Sequence, residues 1–517
     1  MVNNFDIITN GNTSKLKLVL KALLVGVMTS FVAILYRFAL SYAEELSLFF
    51  YSFEKNHKWT IPLGFIFLAL IGWIVGKIVE KEPFSGGSGI PQVKGIMGGY
   101  LTNRPISSIV YKFLGGVLAI VSGLSLGREG PSVQLGACTG DFVSKKFKST
   151  RLERRLLMSS GASAGLAAAF NAPLSGVLFS LEEIYKYFSP LVLLSTITAA
   201  VASDFIAKEF FGLQPVFKFG KTTPIPLSNY WLLIILGIIL GLGGAFYNWI
   251  TLKCQYIYGK IKLNMPIKMI FPFIIAGILG LIFPVVLCGG HVVINNLTLN
   301  STLGLLVLIL ILKFLFSIIS FGSGAPGGIF FPLLIIGGVI GAIFGYIVIN
   351  YFGVSAEFFN NFIIISMAGY FTAIVRAPIT GIILITEMTS SLQHLLSLTI
   401  VSIIAYIVAE ALRSKPIYDS LLESLLKKNN INNYHKNSEK KIVIATLIHF
   451  GSQADNKTVK DIDLPQNALI ISVKRGQSSL VPNGNTILKA GDELLTMTDL
   501  SNEWKVRESL DVLATVE

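Results

Sequence analysis

Charged residues are scarce in this chain. They make up 14% of its 517 residues, whereas 53% are hydrophobic, and a soluble domain carries about 25% charged residues. So few charges cannot cover the water-exposed surface of a chain this long, which argues against an ordinary cytosolic enzyme and a disordered protein. The lipid bilayer is therefore the predicted solvent for most of the chain.

Cysteine and histidine are also rare. The three cysteines, Cys138, Cys254 and Cys288, are too scattered for a disulfide framework. The five histidines show no metal-ligand spacing, and no Ser-His-Asp grouping stands out. We therefore expect no enzymatic activity, no metal and no cofactor. We expect all the histidines to be solvated or loop residues: His57, His291, His394, His435 and His449.

Acidic residues are fewer than basic ones, 29 against 42, for a formal net charge of +13. Scattered basic charge is typical of cytoplasmic loops in membrane proteins, whereas nucleic-acid binding needs a clustered basic face. Lys15, Lys17 and Lys21 precede the first apolar run, which has no signal cleavage site, and they predict a cytoplasmic N-terminus. The basic residues between 145 and 155 indicate a further cytoplasmic loop at the lipid headgroups.

The apolar stretches differ in length, and glycine and proline interrupt many of them. Glycine totals 48 residues. Short, broken helices survive at membrane depth only where protein or a water-filled cavity covers their free backbone groups. This pattern favours a transporter or channel over a simple helical bundle.

The composition changes after residue 410. Residues 426–440 are predicted to be a polar linker. Residues 441–517 are predicted to be a small, β-rich cytoplasmic domain, because short alternating runs are separated by turn signals. The predicted strands are Ile442–Ile448, Ala468–Val473 and Glu493–Met497.

An internal repeat is visible in the membrane part. Residues 172–182 read APLSGVLFSLE and residues 377–387 read APITGIILITE, with prolines 205 positions apart (378 − 173). A looser match relates Pro131 to Pro332. Two repeated halves place a substrate site at their interface, near the membrane midplane. These residues leave open whether the repeat is parallel or inverted.

Three segments rich in glycine and proline stand where uninterrupted helix would be expected. They are GSGIP at 87–91, GREGP at 127–131 and GGIFFP at 327–332. Glycine allows close approach of the backbone, and proline suits the first turn of a helix. Converging helix N-termini would bind an anion without a full positive charge, weakly enough for release. The alternative is that the glycines serve helix packing.

Two acidic residues are candidates for function. An ionisable group in a membrane segment is functional by default, and Glu129 lies in one of the three segments. Its carboxylate could occupy the anion site and leave when protonated, whereas the alternative is a structural ion pair with Arg128. Glu183 has Met388 as its repeat counterpart and so suits an asymmetric role. Its neighbour Glu182 matches Glu387, which we expect to be structural.

These segments resemble the signature motifs of the CLC family of chloride channels and proton/chloride exchangers. GSGIP, GREGP and GGIFFP occur in the family's order, together with GLAAAFNAPLSGVLFSLEE and KPIY at 415–418. The resemblance covers about residues 20–425 and implies a transport domain over 1–425. It implies an all-α membrane fold, an inverted repeat of many tilted helices, and a homodimer with one pathway per subunit.

The resemblance also implies an anion site. Ser88 and Tyr418 would hold the central chloride with their hydroxyls, and the backbone N–H groups of Ile329 and Phe330 would complete the site. Ser88 favours chloride over fluoride. Phe331 departs from the family, which often has a small residue there.

The same resemblance assigns roles to the two acids. Glu129 would be the external gating glutamate, and Glu183 the internal proton-transfer glutamate. An acid at the latter position favours secondary active exchange of about two chlorides per proton over the alternative, a passive chloride channel. A membrane sensor that signals through its soluble tail is a third alternative, for which the sequence offers no output motif.

Residues 441–517 resemble a TrkA-C (RCK-C) module, through the strand, the basic turn and the ending LKAGDEL. Such modules dimerise and bind small ligands, which in some bacterial transporters are cyclic dinucleotides. The resemblance therefore implies a regulatory domain with a ligand, and the alternative is a domain that only dimerises.

Overall fold

The computed structural model contains two compact units, Met1–Leu425 and Leu426–Glu517. It describes residues 11–186, 188–220, 223–299, 301–428, 441–465, 468–476, 478–499 and 503–514. Of the predicted linker, residues 426–428 belong to the last turn of a helix, and 429–440 lie outside the described residues.

The first unit is helical, because apolar segments in a bilayer must satisfy their backbone groups internally. Eight helical segments among its described residues are long and apolar enough to span a membrane. The prediction of an all-α membrane fold is confirmed. The helices are α1 Gly11–Asn56, α2 Ile61–Lys81, α3 Ile90–Met97, α4 Pro105–Val121, α5 Glu129–Lys146, α6 Arg151–Phe170, α7 Pro173–Phe179, α8 Pro190–Phe211, α9 Tyr230–Lys260, α10 Met265–Ile282, α11 His291–Asn296, α12 Leu303–Gly322, α13 Phe330–Phe352, α14 Phe359–Val375, α15 Pro378–Thr389, α16 Leu395–Ala411 and α17 Ile417–Lys428.

The two halves of this unit meet through reciprocal backbone hydrogen bonds. Gly127 N–H donates to Gly328 O over 2.7 Å, and Gly328 N–H donates back to Gly127 O over 2.8 Å. These two residues are 201 positions apart (328 − 127). Contacts exchanged between equivalent residues are those that a two-fold axis produces, as expected for the inverted repeat.

The repeat extends further than the sequence shows. Gly87 N–H donates to Gly324 O over 3.1 Å, and the equivalent Cys288 N–H donates to Gly123 O over 3.0 Å. The loop before α11 is therefore the counterpart of the loop that carries Ser88. Sequence comparison misses it because it shares little with GSGIP beyond a glycine of positive φ at the helix N-cap.

A carboxylate from each half binds the N-terminus of a helix in the other half. Glu182 accepts hydrogen bonds from the N–H groups of Thr380 (2.8 Å) and Ile379 at the start of α15. Its counterpart Glu387 accepts from the N–H groups of Ser175 (2.8 Å) and Leu174 at the start of α7. Each half thus caps a helix of the other, because a carboxylate satisfies free N–H groups in a first helical turn.

The described residues of the second unit form one α-helix and a four-stranded antiparallel sheet, whose strands lie in the order first, fourth, second, third along the chain. Ile444 of the sheet is buried against Val506 and Leu510 of that helix. The three predicted strands are present within two residues of their expected bounds, and one short, exposed strand was not predicted. The elements are β1 Lys441–Leu447, β2 Leu469–Arg475, β3 Ser478–Leu480, β4 Asp492–Asp499 and α18 Glu503–Ala514.

Candidate functional site

Three helices of the first unit start close together. These are α3, α5 and α13, which begin at Ile90, Glu129 and Phe330. Besides the bonds between Gly127 and Gly328, Gly327 N–H donates to the oxygen of Gly87 over 3.1 Å. Backbone hydrogen bonds thus tie together the loops before all three helices. The N-termini of the three helices, which carry partial positive charge, consequently lie near one another.

Two hydroxyl groups are buried in this region without partners. Ser88 is 2% exposed and Tyr418 is fully buried. Neither hydroxyl oxygen makes a well-formed hydrogen bond to a described residue, and the two hydroxyls lie close to each other. Burying a hydroxyl group without a partner is costly. The pair therefore suits a ligand that accepts hydrogen bonds, such as an anion.

The start of α13 supplies backbone donors to the same region. Ile329 and Phe330 are fully buried, and N–H groups in a first helical turn have no partner within their helix. The Phe330 ring is surrounded by three others, those of Phe170, Phe179 and Phe371, at centroid distances of 5.4, 5.9 and 4.6 Å. Such an apolar wall lowers the local dielectric and strengthens the attraction between an anion and the N–H dipoles.

Two positions require glycine because other side chains approach their Cα atoms closely. A Cβ on Gly130 would lie 2.4 Å from the Ser88 hydroxyl oxygen, and one on Gly127 would lie 2.3 Å from Oε2 of Glu129. Any larger residue would displace these side chains. The glycines of GREGP therefore make room for the Ser88 hydroxyl and the Glu129 carboxylate.

Glu129 is 1% exposed, and its carboxylate lies close to the backbone N–H groups of Arg128, Glu129 and Phe331 without a well-formed hydrogen bond to any described residue. Arg128 Nε lies 3.9 Å from Oε1, too far for a hydrogen bond. An ion pair between these two side chains, the alternative to a functional role, is therefore present but long. Glu129 lines a pocket with Glu44, Arg128, His291 and Phe331. Its carboxylate therefore lies among backbone donors and the Arg128 side chain, with no well-formed hydrogen bond that fixes its position.

The bulky Phe331 forms part of the wall of that pocket. Its ring centroid lies 4.1 Å from that of His291 and 5.7 Å from that of Phe217. The prediction that every histidine is solvated or in a loop is wrong for His291, which begins α11; His394 lies in a turn, although it is only 1% exposed. Isolated histidines carry no periodic signal from which burial could be read.

Glu183 lies in a second charged cluster. Its side chain is 2% exposed, and Lys94 Nζ lies 2.6 Å from Oε1. The same Nζ lies 2.5 Å from Oδ1 of Asp419, whose Oδ2 accepts from Lys186. Sequence reasoning missed Lys94 and Asp419. The available signal was a lysine six residues after Ser88 and an acid directly after Tyr418.

Buried lysines support the loops before the short helices. Lys112 is fully buried and donates to the carbonyl oxygens of Ser85 (3.0 Å) and Gly87 (2.5 Å). Its repeat counterpart, Lys313, donates to Val286 O over 3.0 Å and to Cys288 O over 2.8 Å. Sequence reasoning missed this pair too, although each lysine stands alone in an apolar run. The Lys112 ammonium group therefore fixes the backbone of the loop that carries Ser88.

Known proteins share both the sequence and the fold of the first unit. Residues 65–410 match the family described as voltage gated chloride channel. The H(+)/Cl(-) exchange transporter ClcA of Salmonella paratyphi B is 34% identical over 433 residues, which cover 82% of this chain and 91% of the relative. The ClcA protein of Salmonella typhimurium matches to the same extent.

Solved structures agree. The crystal structure of a slow cyanobacterial Cl−/H+ antiporter superposes with a TM-score of 0.73 at 31% identity, covering 80% of this chain and 99% of that one. The crystal structure of a eukaryotic CLC transporter superposes with a TM-score of 0.67 at 23% identity, covering 80% of this chain and 74% of that one. At this low identity the similarity shows only that the fold is shared. Residues 443–510 match the TrkA-C domain. The predicted resemblance is confirmed for both parts, and the chain belongs to the voltage-gated chloride channel (CLC) family.

Proposed function

We propose that this protein is a secondary active transporter that exchanges chloride for protons, about two anions per proton. The observation that carries the proposal is the convergence of three helix N-termini on the buried, unpartnered hydroxyls of Ser88 and Tyr418. Relatives named as H(+)/Cl(-) exchangers support it. Transport of this kind needs a site that binds an anion but also releases it, and dipoles without a direct cationic ligand satisfy both conditions.

In this proposal chloride is held by the two hydroxyls and by the backbone N–H groups of Ile329 and Phe330. Glu129 acts as the gate. When ionised, its carboxylate occupies the backbone cradle beside Gly127, and when protonated it leaves and admits an anion. Anion and proton occupancy are coupled because one side chain competes with chloride and also carries the proton.

Glu183 transfers the proton between the transport path and the cytoplasm. It is buried, and it lines a pocket with Glu182, Lys186 and Arg376. The proposal includes a cell-membrane location, a cytoplasmic N-terminus, a cytoplasmic C-terminal unit and a homodimer. Ligand regulation through the C-terminal unit, by a cyclic dinucleotide in particular, stays a prediction of the TrkA-C resemblance.

Purified protein in liposomes tests the exchange. An outward chloride gradient should drive protons inward against their own gradient. Chloride flow without uphill proton movement would establish the passive channel instead. In the Glu183→Gln variant we expect chloride flux to persist and proton movement to disappear, because the amide cannot carry a proton. Retained coupling would reject the role of Glu183.

A further inference from the structure

The ion pairs around Glu183 connect the proton-transfer residue to the anion site. Lys94 lies on α3, the helix that follows the Ser88 loop, and Asp419 directly follows Tyr418 at the start of α17. The Lys94 ammonium contacts Glu183 over 2.6 Å and Asp419 over 2.5 Å. One buried cation therefore joins the three elements that carry the hydroxyls and the proton-transfer acid.

We propose that Lys94 is a positioning residue that transmits the protonation state of Glu183 to the chloride site through Asp419. This inference rests on the proposed exchange function and adds to it a physical link between the two ions. While Glu183 is ionised, Lys94 is shared between two carboxylates. Protonation removes the charge of Glu183, and the lysine then interacts chiefly with Asp419.

The consequence for the anion site follows from where the two partners lie. A stronger pair between Lys94 and Asp419 holds the start of α17 more firmly against α3, and it keeps the hydroxyls of Tyr418 and Ser88 positioned around an anion. Chloride should therefore bind more tightly when Glu183 is protonated. Because binding linkage is reciprocal, bound chloride should favour the proton on Glu183 by the same factor.

The other charged side chains around Glu183 have partners of their own. Lys186 pairs with the second oxygen of Asp419, but its side chain is 41% exposed and surface ion pairs contribute little. Glu182 is engaged by the helix that it caps. Two arginines nearby bind backbone carbonyl groups. Arg155 on α6 donates to Met97 O at the end of α3. Arg376, which follows α14, donates to the carbonyl oxygens of Tyr406 and Ser414.

The remaining helices around Glu183 bring no competing charge. The α7 segment contains no charged residue, and α8 has none before Asp204. Lys94 is thus the group that contacts Glu183 and Asp419 together.

Chloride binding to the detergent-solubilised full chain tests the link without requiring transport. Calorimetric titrations would be made at about pH 5 and about pH 8, so that a larger fraction of Glu183 is protonated at the lower pH. All variants would carry Glu129→Gln, so that titration of the gate does not contribute. In this background we expect chloride to bind about fivefold more tightly at the lower pH, the low end of typical coupling between sites.

Adding Asp419→Asn should abolish this pH dependence while leaving Lys94 paired with Glu183. Adding Lys94→Met should abolish it as well, and Lys94→Arg should restore it. Lys186→Met is the matched control and should retain it, since Lys186 pairs with Asp419 at the exposed end of the cluster. If Lys94→Met does not fold, the loss of the pH dependence in Asp419→Asn and its retention in Lys94→Arg still test the inference.

Two results would overturn the inference. One is chloride binding that is independent of pH in the Glu129→Gln background. The other is a pH dependence that survives Asp419→Asn. Failure of the proposed exchange would be visible separately, as an absence of uphill proton movement by the wild-type protein in liposomes.

Discussion

Glu129 is a buried carboxylate whose oxygens make no well-formed hydrogen bond to a described residue, although backbone N–H groups lie close to it. A buried charge normally has a close partner, and the nearest cation of this side chain, Arg128, lies 3.9 Å away. The arrangement is poor for stability and good for a side chain that must move. The same reasoning applies to the hydroxyls of Ser88 and Tyr418, whose burial without partners suits a ligand better than a packed core.

Glu129→Gln should leave chloride flux in place and make it independent of pH, because an amide neither takes up a proton nor carries a negative charge. Proton movement should fall to the level of liposomes without protein. The measurement is paired chloride and proton flux across a pH series. Glu45→Gln, on the exposed face of α1, is the control and should behave as wild type. A Glu129→Gln protein with unchanged pH response would contradict the gating role.

At the scale of elements, the site depends on short helices that do not cross the membrane. The helices α3, α7 and α11 have eight, seven and six residues. Isolated helices of this length are unstable in water, so their ends must be held by other groups. Lys112 and Lys313 bind the carbonyl groups before α3 and α11, and the carboxylates of Glu182 and Glu387 cap α15 and α7.

Glu387→Ala should lower stability because it removes the cap from α7. We expect a loss of about 1–2 kcal/mol, the usual range for a lost N-cap, seen as a lower midpoint of thermal unfolding in detergent. Glu182→Ala should cost a similar amount, since it caps the equivalent helix. Glu209→Ala, at an exposed position of α8, should have almost no effect. Equal midpoints for Glu387→Ala and Glu209→Ala would show that the cap does not contribute.

At the scale of the whole molecule, the two units are stabilised by different forces. The membrane unit satisfies its backbone groups within helices and holds buried lysines such as Lys112 and Lys313 against backbone carbonyl groups. The C-terminal unit has a small apolar core and a partly exposed ion pair, in which Arg475 Nη2 and Nε lie 2.7 and 2.8 Å from the oxygens of Asp492. Burial by itself would raise the pKa of Asp492, but the hydrogen bonds from Arg475 and from the Lys489 N–H hold it below its usual value.

The sign of this shift predicts the pH response of the C-terminal unit. A carboxyl group whose pKa is lower in the folded state stabilises that state above its unfolded pKa, about 3.9, and this contribution is lost as the pH falls toward the folded pKa. Arg475→Met should therefore destabilise the unit at neutral pH by roughly 1–2 kcal/mol, and by less in acid.

Hydrogen exchange of β2 and β4 in the full chain, corrected for intrinsic rates, measures this difference. Lys474→Met is the control, since Lys474 pairs with Glu493 on an exposed part of the same strands. A destabilisation by Arg475→Met that does not change with pH would refute this account.

The sequence alone predicted that most of the chain lies in a lipid bilayer, and it also predicted the fold class and the candidate site residues. Scarce charge predicted the membrane, and broken glycine-rich segments predicted helix starts. The period-two runs predicted the sheet, because these signals are local and do not depend on distant residues. Phe331 was noticed as a departure, but neither its packing on His291 nor the burial of His394 could be predicted.

The tertiary structure decided which residues meet. Lys94, Asp419 and Glu183 are far apart in the chain, as are Glu182 and α15, and no local pattern marks such pairs. The counterpart of the Ser88 loop was hidden for the same reason, since the two loops share a backbone conformation but few side chains. Long-range pairs between charges arise from the packing of the two halves, so they become visible only when both halves are folded together.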